Sequence, residues 1–581
     1  MIRKNIYRLA AVAALLCAAA SAGAQNLDPT VVVSRDYEGK LMEVHKPKIE
    51  MAIPYSVLRF DLEFDYSVSD SPYKGAYDFT PYMLDMKPSP AYRENGRFYL
   101  NAGAGYQLHP ELDMVWTPVV RNDAFRMNVY ARHRSYVGKF WDMDPIQIEN
   151  GLLFDRNADR TRWKGSDMVT RAGLDGRYDW KGAAFRFEAG YYGLYQCDST
   201  AAGRSFNALD LKVGLASKGR SVKALGYSFD LAYRYGKDAA GDALALSENL
   251  IDLNASLHSS FPKGHLFRLD FDYQLSGYQG YFNTNASFIT VAPHYVMKFR
   301  RWDIDLGVAA AWKLPDDPDA AMYGRNIQNL YPDVRIAFKG ARSFDMYFEL
   351  GGGAVMNTYS SLLASDRRFG MLYGRGQSAL LEMTDERIRA VLGVDGRITS
   401  RFSYGLKGGY SYYGNAPMGA IVRNADEVGS VWLPALVYGA YGKAFINLDW
   451  KLRAERIDFD GVLEYASCKG KSPETDPFLP AAFTGDVSFR YNWKKRVYAG
   501  VNCNFSSERE GNVRTYSDEG VTYTSAVIPG YADLGVELEG RLNHKISLWV
   551  KGGNLLNMTI QRSLMYAEAG PYFTLGFSLN L

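Results

Sequence analysis

The sequence predicts an all-β protein, a transmembrane antiparallel β-barrel of about 22 strands (20–22) with long extracellular loops and short periplasmic turns. Three observations predict this fold. From residue 97 onward, segments of roughly ten residues alternate between apolar and polar side chains. The connections between these segments are alternately short and long. After residue 24, no window approaches the roughly 18 to 20 apolar residues that a membrane helix requires, and lipid otherwise admits only closed barrels.

The alternating segments predict strands with one lipid-facing side and one lumen-facing side. The segment YSFDLAYRY at 227–235 places Tyr, Phe and Leu on one face and Ser, Asp and Arg on the other. FRFEAGYY at 185–192 and FRLDFDY at 267–273 repeat the pattern. We therefore expect a polar lumen of mixed charge, lined by Arg186, Glu188, Asp230, Arg234, Arg268, Asp270, Asp272, Asp345, Glu349, Arg490, Glu537, Glu539 and Arg541. Each is expected to be either solvated or paired across strands.

The connections predict which end of the barrel faces outward. Short turns recur, for example at Lys218, Arg300 and Lys494, and they fall on the periplasmic side when strands are counted back from the last one. The predicted long, irregular loops are Ser135 to Ser166, Leu314 to Ile327, Asn357 to Asp385, Gly414 to Ser430, Lys469 to Pro480 and Ser506 to Pro529. A soluble β-sandwich or propeller would also alternate, but no linker or blade-length repeat follows residue 97, which favours the barrel.

The N-terminus predicts export. A basic start, an apolar stretch and a small-residue site before Gln25 are typical of a secretory signal peptide over 1–24. Cys17 offers an alternative lipid-anchor interpretation, but the preceding ALL lacks the small residues that such processing favours. We expect a signal peptide at 1–24, a periplasmic or lumenal segment at 25–96, and a barrel at 97–581 in the outer membrane of a Gram-negative cell, in contact with outer-membrane lipids.

The composition argues against nucleic-acid binding and catalysis. The net charge is +3 with 23% charged residues, which predicts no nucleic-acid partner. The seven histidines form no H-x-H or H-E-x-x-H pair, no G-x-S-x-G elbow is present, and GKS at Gly470 lacks the upstream glycine of a phosphate loop. We expect no catalytic residue, no metal site and no cofactor.

The exported chain keeps Cys197, Cys468 and Cys503, either as three thiols or with Cys468 bridged to Cys503.

The last residues predict the strand that closes the barrel. In GPYFTLGFSLNL, apolar side chains occupy every second position: Phe573, Leu575, Phe577, Leu579 and Leu581. A strand at this position can pair with the first strand, and closure removes the free edges of the sheet.

This C-terminal region resembles the last two strands of TonB-dependent receptors. The matching motif, N-L-[LF]-N in the penultimate loop, is Asn554, Leu555, Leu556 and Asn557, and a Gly-Pro lead precedes the closing strand. The closing strand is similar to the targeting signal that the barrel-assembly machinery reads, although Leu581 stands where that signal usually has Phe or Tyr. The resemblance implies a 22-strand barrel over 97–581 and biogenesis by that machinery.

The N-terminal segment matches the same family only in part. DPTVVVSRD resembles the TonB-contacting box, with Thr30, Val31, Val32, Val33 and Ser34 as its core; a generic exposed strand is the alternative interpretation. In the family a globular plug of roughly 130 or more residues follows the box, whereas about 60 residues follow Ser34 here before the first barrel strand. We therefore expect a missing or truncated plug, with residues 25–96 seated in the lumen or against its periplasmic mouth.

The resemblance implies a role in binding or taking up a nutrient at the cell surface, with TonB as a partner. The alternative is a barrel that does not transport and serves as a scaffold or subunit of an outer-membrane assembly or export complex, with lipoprotein or other outer-membrane partners.

Overall fold

The computed structural model describes residues 97–581, except 107, 119–123, 157–158, 160, 198–202, 219–224, 241–243, 281–282, 316–326, 341–343, 370–380, 426–431 and 473–475. The predictions for residues 1–96, namely the signal peptide, the TonB-box-like core at 30–34 and the seat of segment 25–96, lie outside the described residues.

Twenty-two strands of the described chain form one closed antiparallel barrel, and this confirms the predicted fold class and strand number. Four further strands, β4, β5, β22 and β23, lie outside the wall. The first thirteen strands are β1 (Phe98–Gly105), β2 (Glu111–Trp116), β3 (Phe125–Trp141), β4 (Met143–Ile148), β5 (Gly151–Arg156), β6 (Arg162–Asp179), β7 (Ala183–Cys197), β8 (Arg204–Ser217), β9 (Leu225–Ala240), β10 (Leu244–Phe261), β11 (His265–Gly280), β12 (Thr284–Phe299) and β13 (Trp302–Pro315).

The remaining elements complete the wall and the outer connections. The strands are β14 (Leu330–Lys339), β15 (Phe344–Met356), β16 (Met383–Thr399), β17 (Phe402–Asn424), β18 (Leu433–Arg453), β19 (Ile457–Gly470), β20 (Phe483–Trp493), β21 (Val497–Ser506), β22 (Arg509–Ser517), β23 (Gly520–Ile528), β24 (Tyr531–Arg541), β25 (Ile546–Gly553) and β26 (Tyr572–Asn580). One α-helix, α1 (Tyr359–Ser365), follows β15, and a 3-10 turn, Pro262–Gly264, joins β10 to β11. Among the described residues, no helix has the length and apolar character needed to cross a membrane.

The barrel closes where β26 pairs with β1. The register runs from Tyr99 opposite Asn580 to Gly105 opposite Thr574. On the lumen side, the Trp549 indole donates a 2.6 Å hydrogen bond to Asn101 and lies over the paired glycines Gly103 and Gly576. A Cβ atom at Gly576 would come within 2.1 Å of the indole, so the seam requires glycine under this side chain.

The two faces of the wall differ as the alternation predicts. Large apolar side chains on the outer face are exposed, as at Leu209 and Leu211 (56% and 52% exposed). The interior carries ion pairs between strands, one of the two outcomes that the sequence allowed. Arg234 pairs with Asp210 of the adjacent strand at 2.5 Å, whereas Arg268 with Asp305 at 3.1 Å and Arg490 with Glu539 at 2.7 Å each reach across an intervening strand.

The connections at the two ends of the barrel differ in length. We call the end that carries 180–182, 262–264, 300–301, 400–401, 454–456, 494–496 and 542–545 the turn end, because each of these connections has two to four residues. The connections 117–124 and 218–224, of eight and seven residues, lie at the same end. The opposite end, which carries α1, both extra hairpins and residues 554–571, is the loop end. This arrangement confirms the predicted alternation of short turns and long loops.

Three of the predicted irregular loops are wrong in part, because they contain regular strands. In the predicted loop Ser135 to Ser166, β3 continues to Trp141, β4 and β5 form a hairpin, and β6 begins at Arg162. β17 continues to Asn424, and the predicted loop after Ser506 holds the β22–β23 hairpin. Beyond the bilayer both faces of a strand meet protein or water, so the apolar/polar alternation that marks the wall is absent there.

The three described cysteines are free thiols, and the possible bridge between Cys468 and Cys503 is not formed. The register of β19 directs Cys468 to the lumen, where its neighbour Lys443 pairs with Glu464, whereas Cys503 lies on the outer face opposite Val487. The two sulfurs are on opposite sides of the wall.

Candidate functional site at the loop end

The loop end carries a small β-sheet of its own. β5 pairs in parallel with β23 through Leu152 and Leu153, and β22 pairs in parallel with the last residues of β17, Val422 to Asn424. With the antiparallel pairs β4–β5 and β22–β23, the strand order is β4, β5, β23, β22, β17. We call this arrangement the loop-end sheet. It joins connections that are more than 350 residues apart in sequence, since β5 and β23 begin at Gly151 and Gly520.

The loop-end sheet has its own hydrophobic core. Phe154, Ile421, Val513 and Ala526 are fully buried, and Leu564 from the connection between β25 and β26 packs on them. Complete burial of a Val, Ile or Phe side chain stabilises the packed state by about 1.5–3 kcal/mol. The loop-end sheet is therefore a packed layer rather than a set of independent loops.

Helix α1 packs against the inner wall of the barrel near the loop end. Thr358 caps the helix: its hydroxyl accepts a hydrogen bond from the Ser361 amide at 3.1 Å, and the Ser361 hydroxyl accepts one from the Thr358 amide at 2.9 Å. Tyr359, Leu362 and Leu363 are buried at the i, i+3, i+4 spacing of one helical face. They contact an apolar part of the wall that includes Phe206, Leu246, Phe288, Ala309, Ala311 and Tyr331.

Two buried carboxylates of the wall hold α1 in this position. Asp238 is fully buried and accepts hydrogen bonds from the Arg204 guanidinium at 2.8 and 3.0 Å and from the Tyr359 hydroxyl. Burial raises the pKa of the Tyr359 hydroxyl well above its ordinary value, so the hydroxyl remains a neutral donor to this carboxylate.

The second carboxylate contacts the first turn of α1. Glu248 accepts hydrogen bonds from the Ser360 amide at 3.2 Å, from the Ser360 hydroxyl, and from the Tyr278 hydroxyl at 2.9 Å. The Tyr278 hydroxyl in turn accepts a hydrogen bond from the Tyr359 amide at 3.2 Å. Because a buried charge is costly without partners, these contacts select one position for α1.

The residues that follow α1 link it to the connection between β25 and β26. The Ser563 hydroxyl donates a hydrogen bond to Asp366 at 2.5 Å, and the guanidinium of Arg368 lies 4.8 Å from the centre of the Tyr566 ring. Arg367 is 3.5 Å from Asp167 on the inner wall. The helix, the wall and the connection at 554–571 thus form one contact network.

The predicted family motif organises that connection. Asn554 is buried, has a φ of 45°, and its side-chain amide donates to the Met558 and Ala569 carbonyls, each at 3.1 Å, while its oxygen accepts from the Met558 amide at 3.0 Å. Asn557 has a φ of 51°, and its carbonyl accepts from Arg156 of β5 at 3.1 Å. Leu555 donates its backbone N–H to the Leu534 carbonyl at 3.0 Å, and Leu556 lies within the turn that the Asn557 amide closes by donating to the Asn554 carbonyl at 2.9 Å. In this chain the asparagines supply the left-handed backbone that the tight turn requires.

The other described residues predicted as site residues lie on β26 or directly after it, not in the loop-end connections. Phe573, Leu575, Phe577 and Leu579 lie on β26, with the first three exposed on the outer face, and Leu581 exchanges backbone hydrogen bonds of 2.8 and 2.9 Å with Phe98. The core at 30–34 lies outside the described residues. The loop-end site therefore contains only the Asn554 to Asn557 motif of the residues predicted from the sequence.

Arginine and aromatic side chains pair at the loop end, where the Trp141 ring is buried beneath its arginines. The guanidinium carbons of Arg162 and Arg156 lie 3.6 and 4.4 Å from the centre of the Trp141 ring, and that of Arg423 lies 5.6 Å from the centre of the Trp432 ring. Such pairs combine a flat apolar surface with donors for carboxylate, phosphate or hydroxyl oxygens. Among the described residues, no group of three His, Cys, Asp or Glu side chains could hold a metal ion.

Several residues of this site are absent from the predictions. The Asp238, Arg204 and Tyr359 cluster joins the consecutive strands β8 and β9 to helix α1, more than 100 residues further along the chain, and nothing in a single sequence pairs Tyr359 with Asp238. Helix α1 did leave a local signal, since Thr358 and Ser361 have capping spacing and Tyr359, Leu362 and Leu363 have helical spacing.

Comparison with known proteins shows a shared fold without sequence similarity. No family model matches the chain, and no curated protein sequence matches it. The siderophore receptor PirA from Acinetobacter baumannii is 9% identical, with a TM-score of 0.56 over 83% of this chain and 80% of that chain. FpvA from Pseudomonas aeruginosa, solved with bound pyoverdine, is 10% identical, with a TM-score of 0.58 over 84% and 72%. The FrpB iron transporter from Neisseria meningitidis is 8% identical, with a TM-score of 0.56 over 83% and 82%.

The 22-strand wall, its alternation of turns and loops, and these structural matches agree. They confirm, at the level of the fold, the resemblance to TonB-dependent receptors that the sequence predicts.

Proposed function

We propose that this protein is a receptor or transporter-like barrel of the outer membrane that binds a nutrient at the cell surface or takes it up. The observation that carries the proposal is the loop end, where helix α1 and the loop-end sheet are each packed and are joined through contacts with residues 554–571. A preorganised surface binds with a smaller entropic cost than independent loops do. The similar structures, which their descriptions give as a siderophore receptor, FpvA bound to a pyoverdine and an iron transporter, support the same class of role.

The proposal assigns the loop end to the cell exterior and the turn end to the periplasm. In this orientation Thr30, Val31, Val32, Val33 and Ser34 would reach TonB from the periplasmic side, and α1 with the loop-end sheet would meet the ligand first. No catalytic role is proposed.

Contact with TonB tests the transport part of the proposal. Replacing Val31 and Val32 with proline removes the backbone N–H at each position, so no strand pairing with TonB can form there. We expect full-length protein to retain TonB in cross-linking and pull-down from membranes, and the double variant to lose it. A matched variant, Val31→Ile with Val32→Ile, keeps the β-branched strand and should retain TonB.

A second candidate function rests on the length of segment 25–96, which is shorter than the plug implied by the resemblance. The barrel would then act as a scaffold or subunit of an outer-membrane assembly or export complex. In that case the proline variant should behave like the unaltered protein, and protein partners should co-purify with both.

A further inference from the structure

The two ends of the barrel carry opposite charge, although the whole chain has a net charge of only +3. At the turn end, each of the connections 180–182, 262–264, 300–301, 400–401, 454–456, 494–496 and 542–545 contains Lys or Arg, and Glu455 is the one carboxylate among their residues. The described loop-end connections are richer in carboxylates, which include Asp142, Glu149, Glu508, Asp518 and Glu519. The turn end is therefore a ring of positive charge.

These cations lie at the edge of the lipid-facing surface. Phe299 and Trp493 are exposed on the outer face, at 64% and 55%. The guanidinium of Arg300 lies 5.4 Å from the centre of the Phe299 ring, and the Lys494 ammonium lies 5.8 Å from the centre of the Trp493 ring. Exposed aromatic rings mark the interface between hydrocarbon and headgroups, so these basic groups lie at headgroup depth.

The backbone conformation at two of these turns favours glycine or asparagine rather than Lys or Arg. Arg300, Lys494 and Lys495 have φ values of 51°, 53° and 58°, in the left-handed region where glycine and asparagine are favoured. Lys494 and Lys495 occupy the two central positions of a hairpin turn closed by a 3.1 Å hydrogen bond from the Arg496 amide to the Trp493 carbonyl. Asn-Gly is the usual choice for such a turn. The positive charge is present here despite the backbone preference.

The partner of this charge is not another described side chain. Within the part of the chain that the structure describes, no carboxylate lies within ion-pair distance of Arg300, Arg301, Lys494 or Lys495, and all four side chains are exposed. Basic clusters at a membrane surface attract anionic headgroups, and phosphate oxygens accept hydrogen bonds from Lys and Arg.

We propose that the turn end binds the headgroups of anionic phospholipids, with Arg300, Arg301, Lys494 and Lys495 as contacts. These cations lie beside aromatic side chains exposed on the outer face, at a depth where lipid phosphates are available as acceptors. Residues 51–86 of the same chain, with six acidic and two basic side chains, are the competing occupant. The lipid is favoured because Arg300 and Lys494 contact rings that face lipid.

The test compares two triple variants of the full-length protein in neutral detergent micelles. The first, Arg300→Gly with Lys494→Asn and Lys495→Gly, removes three turn-end cations and gives the backbone the residues it favours. The second, Lys139→Gln with Lys164→Gln and Lys237→Gln, removes three exposed cations from the outer face at the loop end. Thermal unfolding and native mass spectrometry are followed while phosphatidylglycerol or phosphatidylcholine is added.

We expect phosphatidylglycerol, and not phosphatidylcholine, to bind and to raise the unfolding temperature of the unaltered protein. The turn-end variant should bind phosphatidylglycerol at least about tenfold more weakly, and the loop-end variant within about twofold of the unaltered protein. Without lipid, the turn-end variant should unfold at the same temperature as the unaltered protein or higher, which excludes misfolding as the cause.

Three results would overturn the proposal. The first is equal binding of the two lipids, and the second is an equal loss of binding in both variants. The third is binding of phosphatidylglycerol only after deletion of residues 51–86, which would assign the ring to the acidic segment of the chain itself.

Discussion

At the loop end, connections as far apart as β4–β5 and β22–β23 pair into one sheet, helix α1 is fixed by two buried carboxylates, and Asn554 orders the last long connection. At the turn end, most connections have two to four residues and do no more than reverse the chain, and each of these short turns contains Lys or Arg. The wall sets the fold, whereas the tertiary contacts particular to this chain lie where it leaves the wall. Substitutions at the loop end should therefore lower the free energy of unfolding more than matched substitutions toward the turn end.

The largest expected effect is at Asp238. Asp238→Ala leaves the Arg204 guanidinium and the Tyr359 hydroxyl without their shared acceptor, and removing one partner of a buried pair costs about 3–5 kcal/mol. Asp230, on the same face of β9, is the control: it is half exposed and lies 3.6 Å from Arg186, so Asp230→Ala should cost about 0–1 kcal/mol. The rate of backbone amide hydrogen exchange at residues 358–366 measures how far each substitution releases α1. Equal exchange in the two would show that the carboxylate does not hold α1.

An intermediate effect is expected at Asn554. Asn554→Ala removes three hydrogen bonds to buried backbone groups, and we expect a loss of about 2–3 kcal/mol. At the turn end, Asn543 accepts from the Lys545 and Ile546 amides at 2.8 Å, but these groups can turn to water. Asn543→Ala should cost about 0.5–1 kcal/mol. Urea titration of the refoldable barrel in lipid vesicles compares the two, and a larger loss at Asn543 would reverse the proposed ranking.

The smallest effect is expected at Lys218, which pairs with Asp179 at 2.6 Å near the turn end. Both side chains are partly exposed, so Lys218→Gln should lower stability by less than about 1 kcal/mol, and less still in high salt. The loop-end pair of Arg562 and Asp533, at 3.1 Å, is almost fully buried, and Arg562→Gln should cost several times more. A salt-independent loss at Lys218 would indicate a structural role that the exposed pair does not explain.

The sequence predicted the wall well because every strand there separates lipid from water. That boundary imposes a period of two on segments such as 227–235, and it fixed the fold class and the number of strands. The turns were also predictable, since a two-residue connection such as Arg300 and Arg301 leaves few alternatives. The same reasoning placed the closing strand at Phe573 to Leu581, which pairs with β1.

The loop end could not be predicted in the same way. β22 reads REGNVRTYS, with Val513 as its one aliphatic residue, and both of its faces meet protein or water rather than lipid. Its parallel pairing with β17, and the contact of Tyr359 with Asp238 across 121 residues, depend on tertiary packing that leaves no periodic signal. The motif at Asn554 to Asn557 was visible as a pattern, but its physical role, two left-handed asparagines in a buried connection, required the structure.

We propose that the loop end is the ligand-contact surface of a receptor-type barrel. The most direct measurement is gentle affinity purification of the full-length protein from outer membranes, followed by mass spectrometry of the small molecules and proteins that stay bound, for the unaltered protein and for Asp238→Ala. The claim predicts a small molecule that is retained by the unaltered protein and lost from Asp238→Ala, in which α1 is released. Protein partners alone, retained equally by both, would contradict the claim and identify a scaffold.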